Sequence, residues 1–336
     1  MSTQTRDKSE APIFDIAIVG AGLAGSLSAH LLSESGYKVC VIEKGRGSGG
    51  RASSKRIADD ISCDLGTPFI YAHQPESKEI LEKLVKENIA TPWKQCSKPD
   101  AQAFVGVPKM SAITRHWLSQ STFITETRIH HIEQVHSDNN QPTWLLRDDK
   151  YQKVVHAKKI IITAPAPQAA MILATHADLT VLLLRANQAS KTSQPQWAMW
   201  LEASSSELNA LIEFNQGPIA RMIKDNHKPM RKGDDTDRWV IQADTKWTSE
   251  HLDSDKEKIT QTLLQAFSEH TEQRAIKHGQ PHRWLLSRFE QNKDNQPFAW
   301  SPEHNIGLAG DWLFQGDAEG AILSAFFLTN AIKDNR

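Results

Sequence analysis

The chain has 336 residues, 39% of them hydrophobic and 24% charged, with a formal net charge of −1 at pH 7. That length accommodates two domains with cores of their own, and the composition is that of a globular protein, which excludes a fibre or a disordered tail. The near-neutral balance supplies no general attraction to nucleic acid or to an anionic membrane, so neither is expected as a partner.

In chain order, residues 1–12 are polar and lack the apolar centre of a signal peptide, so they read as a flexible lead-in. No apolar run reaches the roughly 18 to 20 residues that span a bilayer, and a cytoplasmic location is expected. The run Ile16 to Val19 predicts a buried strand, and Gly20, Gly22 and Gly25 form G-x-G-x-x-G at the start of a helix expected from about Leu23 to Ser35. Each glycine answers a different demand: Gly20 a tight turn, Gly22 close approach of the backbone to a pyrophosphate, Gly25 close packing of helix on strand. A diphosphate there meets the positive end of the helix dipole, with the first-turn N–H groups around Leu23 and Ala24 directed at it. Gly36 reads as the helix C-cap, and a second strand, Lys38 to Ile42, ends in Glu43, whose carboxylate can accept hydrogen bonds from ribose hydroxyls. Strand, glycines, helix, strand and acid in this order specify a dinucleotide site, against the bland alternative of an accidental glycine-rich turn. FAD and NAD satisfy this much equally.

The next segment, Glu43-Lys44-Gly45-Arg46-Gly47-Ser48-Gly49-Gly50-Arg51, is a second glycine-rich nest. Its backbone N–H groups suit an anion, and Arg46 or Arg51 can fork onto phosphate oxygens; a solvated basic loop is the alternative. This segment resembles the one that follows the ribose-binding acid in flavoproteins of the amine oxidase and glutathione reductase superfamily. Within that group the chain most resembles the bacterial renalase-like proteins. The resemblance implies bound FAD, with contacts from Gly20, Gly22, Leu23, Ala24, Gly25, Glu43, Lys44, Arg46, Gly50 and Arg51; with no C-terminal cysteine and no obvious histidine attachment motif, noncovalent binding is expected. It extends to Asp64-Leu65-Gly66-Thr67-Pro68-Phe69, similar to the family's D-x-G segment, which implies Gly66 and Thr67 beside the flavin ring. Ile129, at the start of a meander strand, would contact adenine by its backbone; as pure structure it is an ordinary core residue. Near the C-terminus, Gly310 and Asp311 would hold the cofactor chain, and the turn Gly316-Asp317-Ala318-Glu319-Gly320-Ala321 opens an apolar helix to about Ile332. The resemblance implies that N–H groups near Gly320 and Ala321 stabilise negative charge on the reduced flavin, with Glu319 also in the set. A purely electrostatic role of Asp317 and Glu319 at the helix N-terminus is the alternative.

The stretch Thr122 to Pro167 alternates as a meander, with Ile124, Ile129 and Ile132 before the turn-forming Ser137-Asp138-Asn139-Asn140 and Trp144-Leu145-Leu146 after it, then a buried strand Lys159 to Pro165. Further on, Gln196 to Glu202, Ala220 to Lys224 and Trp239 to Ala243 have strand character, and Lys256 to His270 reads as an amphipathic helix with Ile259, Leu263, Leu264 and Phe267 on one face. Polar loops are expected at Asn187 to Gln196, His227 to Asp237 and Gln291 to Pro297. The fold class is therefore α/β: a Rossmann-type FAD-binding domain (13–74, 116–167 and 299–336), with a parallel sheet and a three-stranded β-meander. A second α+β substrate domain (75–115 and 168–298) is expected on a mainly antiparallel sheet. Most of the 10 tryptophans should be core, with two or three lining a pocket.

The three cysteines form no C-x-x-C pair, which argues against a redox disulfide or a zinc site, and the 14 histidines show no H-E-x-x-H spacing, so no metal is expected. Only one G-x-G-x-x-G unit is present, so a nicotinamide compound would enter as a small-molecule substrate. The renalase-like resemblance implies oxidation of a dihydronicotinamide, a misreduced NAD(P)H isomer, by hydride transfer to flavin N5, with oxygen giving hydrogen peroxide. Such a transfer needs a donor carbon about 3 to 3.5 Å from the ring and no obligatory protein base. Catalytic residues stay unassigned; Phe69, Trp200, Gln242, Arg283 and Trp284 are candidates for the substrate pocket. Gln242 departs from the renalase-like pattern, which usually has histidine there; Gln keeps hydrogen bonding but cannot become cationic. A flavin amine oxidase or desaturase, and a non-catalytic FAD-binding protein, are the alternatives.

Overall fold

The computed structural model describes residues 11–136, 142–233, 235–291 and 296–334. The lead-in up to residue 10 and the turn-forming residues 137–140 lie outside them. At the centre of the larger sheet, Ile13–Val19 pairs in parallel with Val39–Ile42 on one side and Lys153–Ile162 on the other. Thr122–Ile124 extends the first side, again in parallel, and Ile306–Ala309 the second; Phe298–Ser301 closes that edge antiparallel. Ile124 therefore belongs to the parallel sheet. The meander is Ile129–His136, Pro142–Asp148 and Lys153–Ile162, so the last, ten-residue strand serves both units.

Side-chain alternation explains why both faces of this sheet are covered. Ile16, Ile18, Val39, Val41 and Ile161 enter one core, whereas Ala17, Val19, Cys40, Ile42, Ile160 and Ile162 enter the opposite one. Helices Leu23–Glu34 and Ala318–Asp334 pack together over the first face. The first of these stops at Ser35, and Gly36 takes φ +84° one residue beyond, the left-handed position that ends many helices. Helices Ala166–Leu173 and Thr180–Ser190 cover the second face through Ala169, Ala170, Leu173, Leu182 and Ala186.

The boundary expected at residue 168 thus falls inside a helix whose apolar side joins the parallel sheet. The loop expected over Asn187 to Gln196 is not one either. Its first residues complete the Thr180–Ser190 helix, which Leu182 and Ala186 anchor from below, and its last residues open the strand Ser193–Ser204. Pro195 is tolerated in that strand because the pairing register shifts between Gln194 and Gln196, where no N–H is required.

The smaller sheet orders Leu211–Glu213, Ile219–Lys224, Thr236–Ala243 and Ser193–Ser204, the last also pairing with Lys277–His278 and His282–Phe289, all antiparallel. Here too period two decides packing. Trp197, Met199, Leu201, Trp239 and Ile241 face the helix Lys256–Thr271 through Ile259, Leu263 and Phe267, while Ala198, Trp200, Ile223 and Val240 turn toward the core shared with the first layer. A three-stranded sheet within 70–106 fills the remaining side of that shared core. Among the described residues no helix is long and apolar enough to cross a membrane.

Candidate functional site

A cleft of about 1230 Å³ runs between the glycine loops and the inner edge of the antiparallel sheet. At one end Gly20 takes φ +106°, and a Cβ there would meet Thr163 Oγ1 at 2.9 Å, so the turn admits only glycine. The Thr163 hydroxyl, close to the carbonyls of Val19 (3.0 Å) and Gly20 (3.1 Å), ties the turn to the neighbouring strand. Gly25 meets the Gly20 carbonyl so closely that a Cβ would sit 2.0 Å from its oxygen; Gly22, by contrast, faces open space. Close helix packing and an open backbone face thus fall to two different glycines three residues apart.

Glu43 accepts hydrogen bonds from the N–H groups of Ala21 (2.9 Å) and Gly45 (2.7 Å), joining the two glycine loops. The second loop folds back onto the first: the Gly49 N–H donates to Ala21 O at 2.8 Å, and the Gly50 Cα packs beside Gly22. Lys44 donates to Gln168 at 2.9 Å, and burial together with the Arg128 charge holds its ammonium below the usual lysine range. Arg46 and Ile129 also line this end.

At the other end, Arg51 makes a two-pronged ion pair with Asp311, Nη1 to Oδ2 at 2.7 Å and Nη2 to Oδ1 at 2.5 Å, and a third bond to Ser287 O at 2.9 Å. The Thr67 N–H donates to Arg51 O at 2.9 Å, and a Cβ on Gly66 would lie 2.2 Å from that same oxygen, so the Gly66 segment lies flat on the Arg51 backbone. Gly310 is fixed by its N–H to Ser324 Oγ at 2.9 Å, and the following turn directs the start of the Ala318–Asp334 helix at the cleft. Asp317 Oδ1 accepts from the Gly320 N–H at 2.8 Å and Asp317 O from the Ala321 N–H, so those two donors are used within the turn. Glu319 serves a different helix. Its buried carboxylate accepts from the His73 and Gln74 N–H groups and from Ser77 Oγ, capping Pro75–Lys86.

Of the expected pocket residues, Phe69 and Trp284 line the cleft, and Trp284 touches Gly66. Arg283 reaches its rim, but the guanidinium donates to Leu252 O at 2.7 Å and lies over Trp197 on the far side of the sheet. Trp200 is buried against Gly279, outside the cleft wall, because its strand turns alternate side chains into the core. Among the described residues, Trp284 is the one tryptophan of the wall. Gln242 is fully buried behind that wall: its amide donates to Leu65 O (2.6 Å) and Gly66 O (2.7 Å), and its oxygen accepts from Arg221 Nε (2.5 Å). Lys228 is buried as well, bonded to Asp64 (2.8 Å) and Asp225 (2.5 Å). Sequence reasoning passed over Arg221 and Arg288, both in the wall. The alternation of their strands was the only signal available.

Cationic side chains dominate the lining: Lys44, Arg46, Arg51, Arg56, Lys109, Arg115, Arg128, Arg221 and Arg288 stand against Glu43, Asp311, Asp317 and Glu319. A chain with net charge −1 has therefore gathered positive potential where a diphosphate would lie.

A parallel sheet with one glycine fingerprint, roofed by an antiparallel sheet across a basic cleft, is an architecture of Rossmann type with a second sheet domain. Residues 18–84 match the family model described as an NAD(P)-binding Rossmann-like domain. Across the whole chain the fold is similar to a protein from Exiguobacterium sp. 255-15 described as a protoporphyrinogen oxidase, with TM-score 0.68 and 11% identity over 97% of this chain and 100% of that one. It is also similar to putrescine oxidase bound to putrescine (TM-score 0.62, 12% identity, 96% and 99% covered) and to a putrescine oxidase variant from a cofactor-binding redesign (TM-score 0.64, 12% identity, 97% and 100%). At such identities the likeness is one of fold.

Proposed function

We propose that this protein is an FAD-dependent oxidoreductase of renalase-like type, oxidising a dihydronicotinamide nucleotide, with oxygen as the electron acceptor. The observation that carries the reading is one continuous cleft with two mutually packed glycine loops at one end and Asp311 with the start of the Ala318–Asp334 helix at the other. The residues fit such a cofactor: open space over Gly22 and Gly47 leaves backbone accessible to a diphosphate, and the surrounding lining is cationic. Glu43 would receive the ribose hydroxyls. Arg51, Asp311 and the Gly66-Thr67 segment would border the ring-bearing half, and among the described residues no cysteine lines the cleft. When bound, the flavin supplies a two-electron acceptor: a hydride leaves the donor carbon, and with one proton those electrons reduce oxygen to hydrogen peroxide.

The chain's own contribution is placement. The wall formed by Phe69, Trp284 and the backbone of 66–68 offers flat apolar surface for a planar donor, and the helix dipole favours negative charge at the cleft end. A single dinucleotide fingerprint supports entry of the nicotinamide compound as substrate. An amine substrate is less well served, because an ammonium ion would enter among arginines. Anaerobic mixing of the FAD-loaded protein with dihydronicotinamide isomers, and separately with a panel of amines, tests this. Loss of flavin absorbance with the former supports the reading, and loss with amines alone refutes it.

A further inference from the structure

Among the described residues, two arginines of the cleft wall form no salt bridge, although Glu213 acts on Arg221 and Asp317 on Arg288 from a distance. Arg221 projects from Ile219–Lys224 with its guanidinium over the Phe69 ring, 5.5 Å from the centroid. Its Nε is fixed on Gln242 Oε1, and Gln242 cannot turn away, because both backbone carbonyls it donates to belong to the Leu65-Gly66 segment. Arg288, from His282–Phe289, enters the same wall. Among the described residues neither guanidinium forms an ion pair. Glu213, cross-strand from Arg221, is taken by Lys98 at 3.2 Å, and Asp317 is turned to the Gly320 N–H. Burial and the Arg288 charge push the Arg221 guanidinium below the usual arginine range, and burial does the same to Arg288. Two partly desolvated like charges cost free energy, and the contacts Arg221 makes with Gln242 and Phe69 leave that repulsion uncompensated. An oxyanion placed between them offsets both desolvation and repulsion.

We propose that Arg221 and Arg288 form a clamp for an oxyanion carried by the substrate, a phosphate or a carboxylate, so that the donor is an anion. This rests on the cofactor reading above only for the word substrate; the clamp itself is a property of the two side chains. A clamp of this kind selects by charge. It admits a nucleotide or a carboxylic acid and discriminates against a free nucleoside, an uncharged aromatic or a polyamine.

The test uses the protein saturated with FAD and freed of excess, with the flavin-to-protein ratio measured first. Isothermal titration then compares two pairs of probes, nicotinamide mononucleotide against nicotinamide riboside for phosphate, and benzoate against benzamide for carboxylate. The clamp requires the anionic member of at least one pair to bind tenfold or more tightly, and the pair that discriminates identifies the group. Arg221→Gln and Arg288→Gln should each reduce that preference at least tenfold in folded protein at unchanged flavin ratio, and Arg221→Lys should restore part of it. Equal affinities within both pairs for the unaltered protein overturn the clamp and need no variant to be seen. Variants that lose flavin yet keep the anion preference also overturn it, assigning the arginines to the cofactor. A protein that retains no FAD but still prefers the anions, with the preference lost in the variants, removes the cofactor reading and leaves the clamp standing.

Discussion

Gly22 and Gly25 lie one helical turn apart, and the structure assigns them opposite failures. In Gly25→Ala the new Cβ would sit 2.0 Å from Gly20 O, 2.6 Å from Thr163 Oγ1 and 3.0 Å from Gly20 C. Two of these are backbone atoms and cannot swing aside, so helix and strand must separate. Overpacking of this sort costs about 1 to 3 kcal/mol, and the backbone contact puts this case near 3. For a cooperative chain of 336 residues the unfolding entropy is about 0.7 kcal/mol per kelvin, so the melting temperature should fall by about 4 °C. Gly22 has φ −77° and no atom within 4 Å of a would-be Cβ, so Gly22→Leu should leave the flavin-free melting temperature within about 1 °C. Its side chain, however, occupies the approach to the helix N-terminus, and FAD affinity should drop at least tenfold. Differential scanning fluorimetry of flavin-free protein and a flavin-fluorescence titration separate the two effects. If Gly25→Ala melts normally, or Gly22→Leu binds FAD as the unaltered protein does, the division of labour drawn here is wrong.

Other expectations follow from the same geometry. Glu319→Ala should destabilise the protein by about 2 kcal/mol, read in urea, while leaving FAD affinity unchanged, because its carboxylate caps Pro75–Lys86; a specific loss of flavin would contradict that role. Asp64 is buried, which alone would raise its pKa, but the charges of Lys228 and Arg231 overcome this and hold it below the usual carboxylate range. The folded-state pKa is therefore the lower one, so its contribution to stability is complete above about pH 4 and disappears as pH falls further; Asp64→Asn should be less stable at pH 7 and flatter in its acid dependence, and an equally steep acid limb would refute this. Burial pushes the Cys40 and Cys96 thiols up to about 12, and Cys63 upward as well. A thiol reagent at pH 8 should label none of the three until denaturant is added; rapid labelling of the native protein would show a reactive thiol.

The nucleotide half of the molecule was legible because its signals are local. The glycine spacing, the alternation of Ile16 and Ile18 against Ala17 and Val19, and the acid after the second strand all lie within one short run of chain, where backbone sterics and period two leave few options. What escaped depends on partners distant in sequence. Glu319 looked like an N-terminal acid of its own helix, and its real partners are 242 to 246 positions away. Gln242 read as a pocket residue because pattern alone cannot say on which side of a wall a side chain falls; its amide is spent on Leu65 and Gly66. Arg283 and Arg288 illustrate the same limit, since five residues along a strand reverse the direction of the side chain. Asn187 to Ser190 looked like loop from composition, yet tertiary packing of Leu182 and Ala186 extends the helix through them.

The stitching between the layers braces the cleft from behind. Asp64 is gripped by Lys228 and Arg231 from the connection between two strands of the antiparallel sheet, and Gln242 is bolted to two carbonyls beside it, so the segment behind the cleft wall is braced at both points. On the reading proposed above, a donor would therefore meet a berth braced from behind.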